Sequence, residues 1–189
     1  MIVATTNSNK LKELKEIFYI KLYSLKDKNI KIEVEEDGTT FYKNAYKKAK
    51  VIYNLTKEAT IADDSGLCIA TLNDFPGVLT HRFLGENKTD EERNLALIEK
   101  MKTKEDRTAK VICNLVYYDG KNTVVGEGVV KGTITTSPRG ENGFGFDSIF
   151  ELDNGKTLAE LTTTEKNKVS ARYLAANDLK NKLKKEGLL

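Results

Sequence analysis

The chain has 189 residues, 39% of them hydrophobic, and its 31 basic side chains nearly balance 28 acidic ones, leaving a net charge of +3. This supplies enough apolar residues for one substantial core, and so balanced a charge excludes an extended nucleic-acid surface driven by bulk charge. The two cysteines, Cys68 and Cys113, lie far apart and suggest neither a disulfide framework nor a zinc knuckle, so both read as small buried hydrophobes. No apolar h-region opens the chain, and no apolar run is long enough to span a bilayer. The expectation is a cytoplasmic protein with a single domain over residues 1–189, without repeats or linkers.

Ile2-Val3-Ala4-Thr5 reads as a buried first strand, and Leu11, Leu14, Ile17 and Phe18 recur at helical spacing just beyond it. Asn7 or Ser8 suits the helix N-cap, so this junction exposes free amides that attract anions, and Lys10 adds a full charge in the first turn. A solvated lysine and a phosphate clamp both fit that position. The Gly-x-x-x-x-Gly-Lys-Ser/Thr pattern of a P-loop is absent. Residues 30–34 alternate like a half-buried strand and run into the acidic loop Glu35-Glu36-Asp37-Gly38. Thr39 or Thr40 then caps a helix with Phe41, Ala45, Ala49 and Ile52 on one stripe. Lys43, Lys47, Lys48 and Lys50 lie opposite, a solvated face from which one lysine can meet a phosphate.

Ile61-Ala62-Asp63-Asp64-Ser65-Gly66 follows, an apolar lead into two adjacent carboxylates. Strand alternation sends such neighbours to opposite sides, so one can face a site while the other serves structure. Ser65-Gly66 suits a tight turn, and the whole stretch reads either as a solvated turn or as a place that holds a metal and activates a water. Leu67-Cys68-Ile69-Ala70 looks like another strand, and Phe75-Pro76-Gly77 is turn chemistry, followed by an incidental loop histidine, His81, and Arg82. Thr89-Asp90-Glu91-Glu92 forms a capping box opening a helix through Leu95, Leu97, Ile98 and Met101. Residues 109–118 and 123–134 read as a long hairpin around Asp119-Gly120. The loop 137–147 is punctuated by glycines, and its Phe144 and Phe146 are either core residues or rings exposed for stacking on a base. Residues 165–172 lead into a last helix with Val169, Ala176, Leu179 and Leu183 inward.

Taken in order, Thr5-Thr6-Asn7-x-x-Lys10, the Gly38 to Asn44 segment, Ala62-Asp63-Asp64-Ser65-Gly66-Leu67, Phe75-Pro76-Gly77, Pro138-Arg139-Gly140, Gly143-Phe144-Gly145-Phe146-Asp147 and Glu165-Lys166-Asn167 with Ser170 and Arg172 are collinear motifs. Together the chain resembles the inosine triphosphate pyrophosphatases, or non-canonical purine nucleoside triphosphate pyrophosphatases, over nearly its whole length. The resemblance implies an elongated α/β domain with a long twisted mixed β-sheet flanked by helices, of the Maf and inosine triphosphatase type, and a homodimer. It implies Mg²⁺-dependent hydrolysis of ITP, dITP and XTP to the monophosphate and pyrophosphate, which cleanses the nucleotide pool. By the same resemblance Glu36, Asp63 and Asp64 are the metal and acid-base positions; we assign Glu36 and Asp64 to the metal and Asp64, Lys10 and Asp63 to catalysis, choosing Asp64 over Asp63 as general base. Thr5, Asn7, Lys10, Lys48 and Ser65 bind the phosphates. Phe144, Gly145, Phe146, Asp147, Lys166, Ser170 and Arg172 read the base, with Arg82 at the margin of the site.

Where this family usually has Ser-His-Arg, the chain has Ser170-Ala171-Arg172, so an imidazole that helps read the purine is missing. Ser148 replaces a usual proline and Thr80 a usual serine. Two other readings stand beside the first: a pyrophosphatase for a modified pyrimidine, as in Maf-type enzymes, and a nucleotide sensor that no longer hydrolyses. Binding alone would not need the second carboxylate that Glu36 and Asp64 together provide.

Overall fold

Ile2–Val3 is wholly buried and forms the first strand, β1, of a computed structural model that describes residues 1–85 and 87–189. The chain gathers into two compact units. The first comprises Met1–Ser65, Cys113–Gly128 and Ala171–Leu189, the second Gly66–Ile112 and Val129–Ser170.

In the first unit β1 lies between two parallel partners, β2 (Tyr23–Ser24) and β3 (Thr60–Ile69), with Ile2 opposite both Tyr23 and Thr60. Helix α1 (Ser8–Phe18) follows β1, and its N-terminus is capped by Asn7, whose Oδ1 accepts the Lys10 N–H at 3.3 Å. Helix α2 (Phe41–Thr56) starts at Thr40, whose side chain accepts the Lys43 N–H. Its stripe of Ala45, Ala49 and Ile52 packs with Ile2, Ala4, Leu25, Ala62 and Val116 into one apolar cluster. The last helix, α5 (Ala171–Lys185), packs on α1 and buries Ala175, Ala176, Leu179 and Leu183.

The second unit holds β4 (Phe75–Pro76), antiparallel to β3 and containing a cis Phe75-Pro76 bond, and α3 (Asp90–Lys100), opened by the full Thr89/Glu92 capping box. The long strands β5 (Thr108–Tyr118) and β6 (Thr123–Ile134), like β3, contribute residues to both units. β7 (Phe150–Glu151) is antiparallel to β6, and the short helix α4 (Thr163–Val169) closes the unit. The sheet runs β2-β1-β3-β5-β6-β7 with β4 on β3, a mixed sheet flanked by helices as the resemblance implied. Burial pushes the Cys68 thiol up to about 11 and the Cys113 thiol up to about 12, so neither is a reactive group.

Three expectations need correction. Residues 30–34 form no strand: Tyr23–Ser24 takes the place beside β1, and Ile30 contributes only packing to the apolar cluster. The two expected strands 61–64 and 67–70 are one ten-residue strand, so Ser65 and Gly66 lie inside β3 and make no turn. The Ser65 N–H is satisfied by Asp64 Oδ1 and the Leu67 N–H by the Thr80 hydroxyl, so side chains supply backbone partners where the strand continues. Val169 faces outward, because α4 ends at it and Ser170 adopts an extended conformation before α5 begins.

Glycine decides how closely β6 and α5 approach. A Cβ at Gly128 would lie 2.0 Å from the Ala171 carbonyl oxygen, and one at Gly126 would lie 2.2 Å from that of Ala175. Neither glycine adopts a positive φ, so the demand is for space. Gly128→Ala is therefore expected to lower stability by about 1–3 kcal/mol, the usual cost of overpacking, as measured by urea unfolding. An unchanged midpoint would show that α5 is free to move away.

Candidate active site

Two adjacent carboxylates acquire different chemistry because β3 presents its side chains alternately. Asp63 is 1% exposed and receives Lys10 Nζ at 3.0 Å and Arg172 Nε at 3.2 Å. Arg172, in the first turn of α5, also donates to Glu13 Oε2 at 2.7 Å and to the Ser65 hydroxyl at 3.3 Å. Lys10 and Glu13 are three residues apart on α1, so one helix face delivers a cation and an anion to the same network. Burial works to raise the Asp63 pKa, but Lys10, Arg172 and Lys48 hold it well below the usual carboxylate range.

Asp64 meets a different environment. Its Oδ2 accepts the Asn44 Nδ2–H at 2.8 Å and its Oδ1 accepts the Ser65 backbone N–H at 2.9 Å. Burial, joined by like charge from Glu36 and Asp63, pushes its carboxyl up to about 6 against the pull of Lys48 and Asn44. Lys48 Nζ is ion-paired with Glu36. Burial opposes the charge on Lys48, yet Asp63, Glu36 and Asp64 together raise its pKa above the ordinary value. Lys47, one residue earlier, instead pairs with Asp37 at 2.6 Å near the surface.

Thr5 Oγ1 accepts the Asn7 N–H at 3.1 Å, so the loop before α1 is braced by its own side chains. Thr5, Asn7, Lys10, Glu36, Lys48, Asp63, Asp64, Ser65 and Arg172 all belong to the first unit. Within it, Lys10, Asp63, Ser65 and Arg172 share one network, while Glu36, Lys48 and Asp64 form a second charged group. Arg172, expected among the base-reading residues, directs its guanidinium to Asp63, Glu13 and Ser65.

The second unit holds Phe144, Gly145, Phe146, Asp147, Lys166, Ser170 and Arg82. Asp147 is buried and accepts the Phe144 N–H at 2.8 Å and Lys166 Nζ at 2.6 Å. The lysine nitrogen lies 4.3 Å from the centre of the half-buried Phe144 ring. Phe146 packs edge-on against Phe150, the core reading for that ring. Gly145 is fixed on both sides, its N–H donating to Asp90 and its carbonyl accepting from Asn94, each at 2.8 Å. Gly143 has φ of 84°, and a Cβ there would sit 2.1 Å from Asp147 Oδ2. His81 is exposed, with its Cε1 3.7 Å from where a Gly145 Cβ would be.

Among the described residues, no three Asp, Glu, His or Cys groups form a ready-made metal cage. Glu36 and Asp64 offer two oxygen donors whose mutual repulsion contributes to the raised Asp64 pKa. This donor set fits Mg²⁺, which dehydrates reluctantly and is usually held by one or two carboxylates plus substrate phosphates.

Fold and site together define an α/β protein whose central strand carries a split carboxylate pair among lysines. The chain belongs to the Ham1 family, whose profile matches residues 1–182. It is 44% identical to a dITP/XTP pyrophosphatase of Bacillus subtilis strain 168, over 94% of this chain and 93% of that protein. It is 40% identical to one from Clostridium tetani, over 97% and 96%. Among solved structures it is similar to a HAM1 protein from Coxiella burnetii, with a TM-score of 0.91 and 36% identity over 97% of this chain and 98% of that one. The Staphylococcus aureus Ham1 protein gives a TM-score of 0.90 and 35% identity, covering 98% of both.

Two residues of the site escaped the sequence reading of roles. Glu13 was detectable as a carboxylate three positions from Lys10 on an amphipathic helix. Asn44 was detectable as a polar residue on the buried stripe of α2, three positions from Phe41.

The two aspartates bear oppositely on stability. A carboxyl raised from 3.8 to about 6 binds its proton more tightly in the folded state, so stability falls as pH rises between those values. Above pH 6 this cost is of the order of 2–3 kcal/mol. Asp64→Asn is therefore expected to raise the thermal midpoint of the metal-free protein by a few degrees at pH 7.5, the gain shrinking toward pH 4. The depressed Asp63 pKa contributes stability present above pH 3.8 and lost as pH falls through the folded value. Asp63→Asn strips Lys10 and Arg172 of their shared counter-ion and is expected to cost about 3–5 kcal/mol. Equal effects of the two variants in calorimetry across that pH range would contradict this division.

Proposed function

We propose that the chain hydrolyses ITP, dITP and XTP at the α–β phosphoanhydride, releasing the nucleoside monophosphate and pyrophosphate with Mg²⁺ as cofactor. The observation that carries this reading is the split pair on β3: one carboxylate held charged by two cations, its neighbour poised near pH 6 beside Glu36 and Lys48. The names of the relatives, dITP/XTP pyrophosphatase, support the substrate class.

In this mechanism Asp64 takes the proton of the water that attacks the α phosphorus, a role supported by its buried position beside Glu36 and Lys48. Asp63 is a poor base because its cations favour the ionised form, and it serves by holding Lys10 in place. Lys10 and Lys48 provide the positive charge that neutralises the phosphates as the pyrophosphate leaves. Glu36 and Asp64 would hold Mg²⁺, which when bound polarises phosphoryl oxygens and stabilises developing negative charge. Within the second unit, the Phe144 ring and the Asp147 carboxylate, with Lys166 beside both, form the group that the resemblance assigns to the base. The homodimer, the cytoplasmic location and the pool-cleansing role belong to the same proposal. Among the described residues, no helix is long and apolar enough to cross a membrane.

A panel of triphosphates, scored for monophosphate and pyrophosphate with and without Mg²⁺, tests the reading. ITP, dITP and XTP are expected to turn over far faster than ATP and GTP, and chelation is expected to abolish turnover. Comparable rates on ATP and GTP would remove the specificity, and preference for a modified pyrimidine would favour the Maf-type alternative. Asp64→Asn is expected to lower kcat by at least about 100-fold with little change in triphosphate affinity, as for loss of a general base. Unchanged turnover in that variant would remove Asp64 from the chemistry.

A further inference from the structure

Asn44 is fully buried in the first turn of α2, in the charged part of the first unit. Its amide makes two contacts of opposite sense. Oδ1 accepts the Gly38 N–H at 2.7 Å, and Nδ2 donates to Asp64 Oδ2 at 2.8 Å. The orientation follows from chemistry: a backbone N–H can only donate, so the oxygen must face Gly38 and the NH₂ must face the carboxylate. Only an amide offers an acceptor and a donor on one short planar group. Leucine, of similar size, offers neither.

Gly38 lies two residues after Glu36 and supplies the other half of the contact. A Cβ on it would fall 2.5 Å from Asn44 Oδ1 and 3.0 Å from Lys43 Cβ. Its φ is not positive, so the glycine is there for the approach of the amide. Glu36 is also ion-paired to Lys48, one helical turn beyond Asn44 on α2. The acidic loop is thus attached to α2 through Glu36 and Lys48, through Asp37 and Lys47, and through Gly38 and Asn44, the last of which continues through a single side chain to Asp64.

We propose that Asn44 is the positioning residue for the Glu36–Asp64 pair, fixing the distance and direction between two carboxylates carried by different segments. This rests on the reading of that pair as the metal-holding carboxylates of a hydrolase. Residues that orient metal-holding groups typically change metal affinity or activity by 10–100-fold when replaced. A purely structural asparagine would change only stability.

The test uses Asn44→Leu and Gly38→Ala in the full chain. The second variant leaves every polar group in place and displaces the amide through the added Cβ, so it remains informative if the first folds poorly. Two properties are measured. The first is Gly38 amide hydrogen exchange in the metal-free wild type and Asn44→Leu, and that of the residue 38 amide in Gly38→Ala. The second is the Mg²⁺ dependence of ITP hydrolysis, with kcat and KM separated. In both variants exchange at position 38 is expected to accelerate, the Mg²⁺ concentration for half activation to rise about 10-fold or more, and kcat to fall while KM for ITP at saturating Mg²⁺ stays within about twofold. Folded variants that keep wild-type half activation and kcat, whatever their thermal midpoint, overturn the inference alone. A wild-type protein indifferent to Mg²⁺ overturns the reading beneath it and the inference with it.

Discussion

Asp63 carries a negative charge almost without access to water, and the arrangement around it depends on the two cations that keep it charged. An ionised carboxylate in such a place would otherwise take up a proton, because desolvation penalises the charged form. Lys10 comes from α1 and Arg172 from α5, and these two helices pack on one another. Glu13 returns a negative charge to Arg172, so the four groups sum to zero. Buried ionic networks seldom out-stabilise a well-packed apolar core. What this one provides is direction, since Lys10 and Arg172 are held by fixed partners at the point where β3 turns its other face to Asp64.

The same strand explains why Asp64 is the reactive member. Because β3 is continuous from Thr60 to Ile69, the two aspartates sit in the rigid interior of a strand and face different direct partners, while Lys48 acts on both. Asp64 receives neutral donors, the Asn44 amide and the Ser65 N–H, and sits near the like charge of Glu36. Neutral donors hold a carboxylate in place without lowering its basicity as far as a direct cation would. The pair thereby gains one carboxyl held below the usual range and one pushed up to about 6, a separation set entirely by surroundings.

Periodic segments were readable from residue order. The helix on Phe41, Ala45, Ala49 and Ile52, the Thr89/Glu92 capping box and the long hairpin all appear where their spacing placed them. Residues 30–34 misled because alternation reports a half-buried face, whereas a strand also needs a neighbour for its hydrogen bonds, and Tyr23–Ser24 occupies that place. Ser65-Gly66 misled because local composition favours a turn, and tertiary pairing overrides such preferences inside a sheet. The carboxylates and lysines of the site were visible as residue types at particular positions. Their partnerships were not, because Asp63 and Arg172 are 109 positions apart, and Lys48 meets Glu36, 12 positions away, only through the way the acidic loop folds against α2. Arg172 illustrates this best: the resemblance implied a base-reading role, and the packing of α5 brings its guanidinium to Asp63 and Glu13.

The central claim is that adjacent residues on one strand hold carboxyl groups of opposite character. Carbon-13 NMR titration of the aspartate side chains in the metal-free protein measures this directly. The account predicts one carboxyl titrating near pH 6 and lost in Asp64→Asn, with Asp63 remaining ionised well below pH 3.8 for as long as the fold persists. An Asp64 that titrates near its ordinary 3.8, or an Asp63 that takes up its proton between pH 4 and 6, would contradict it.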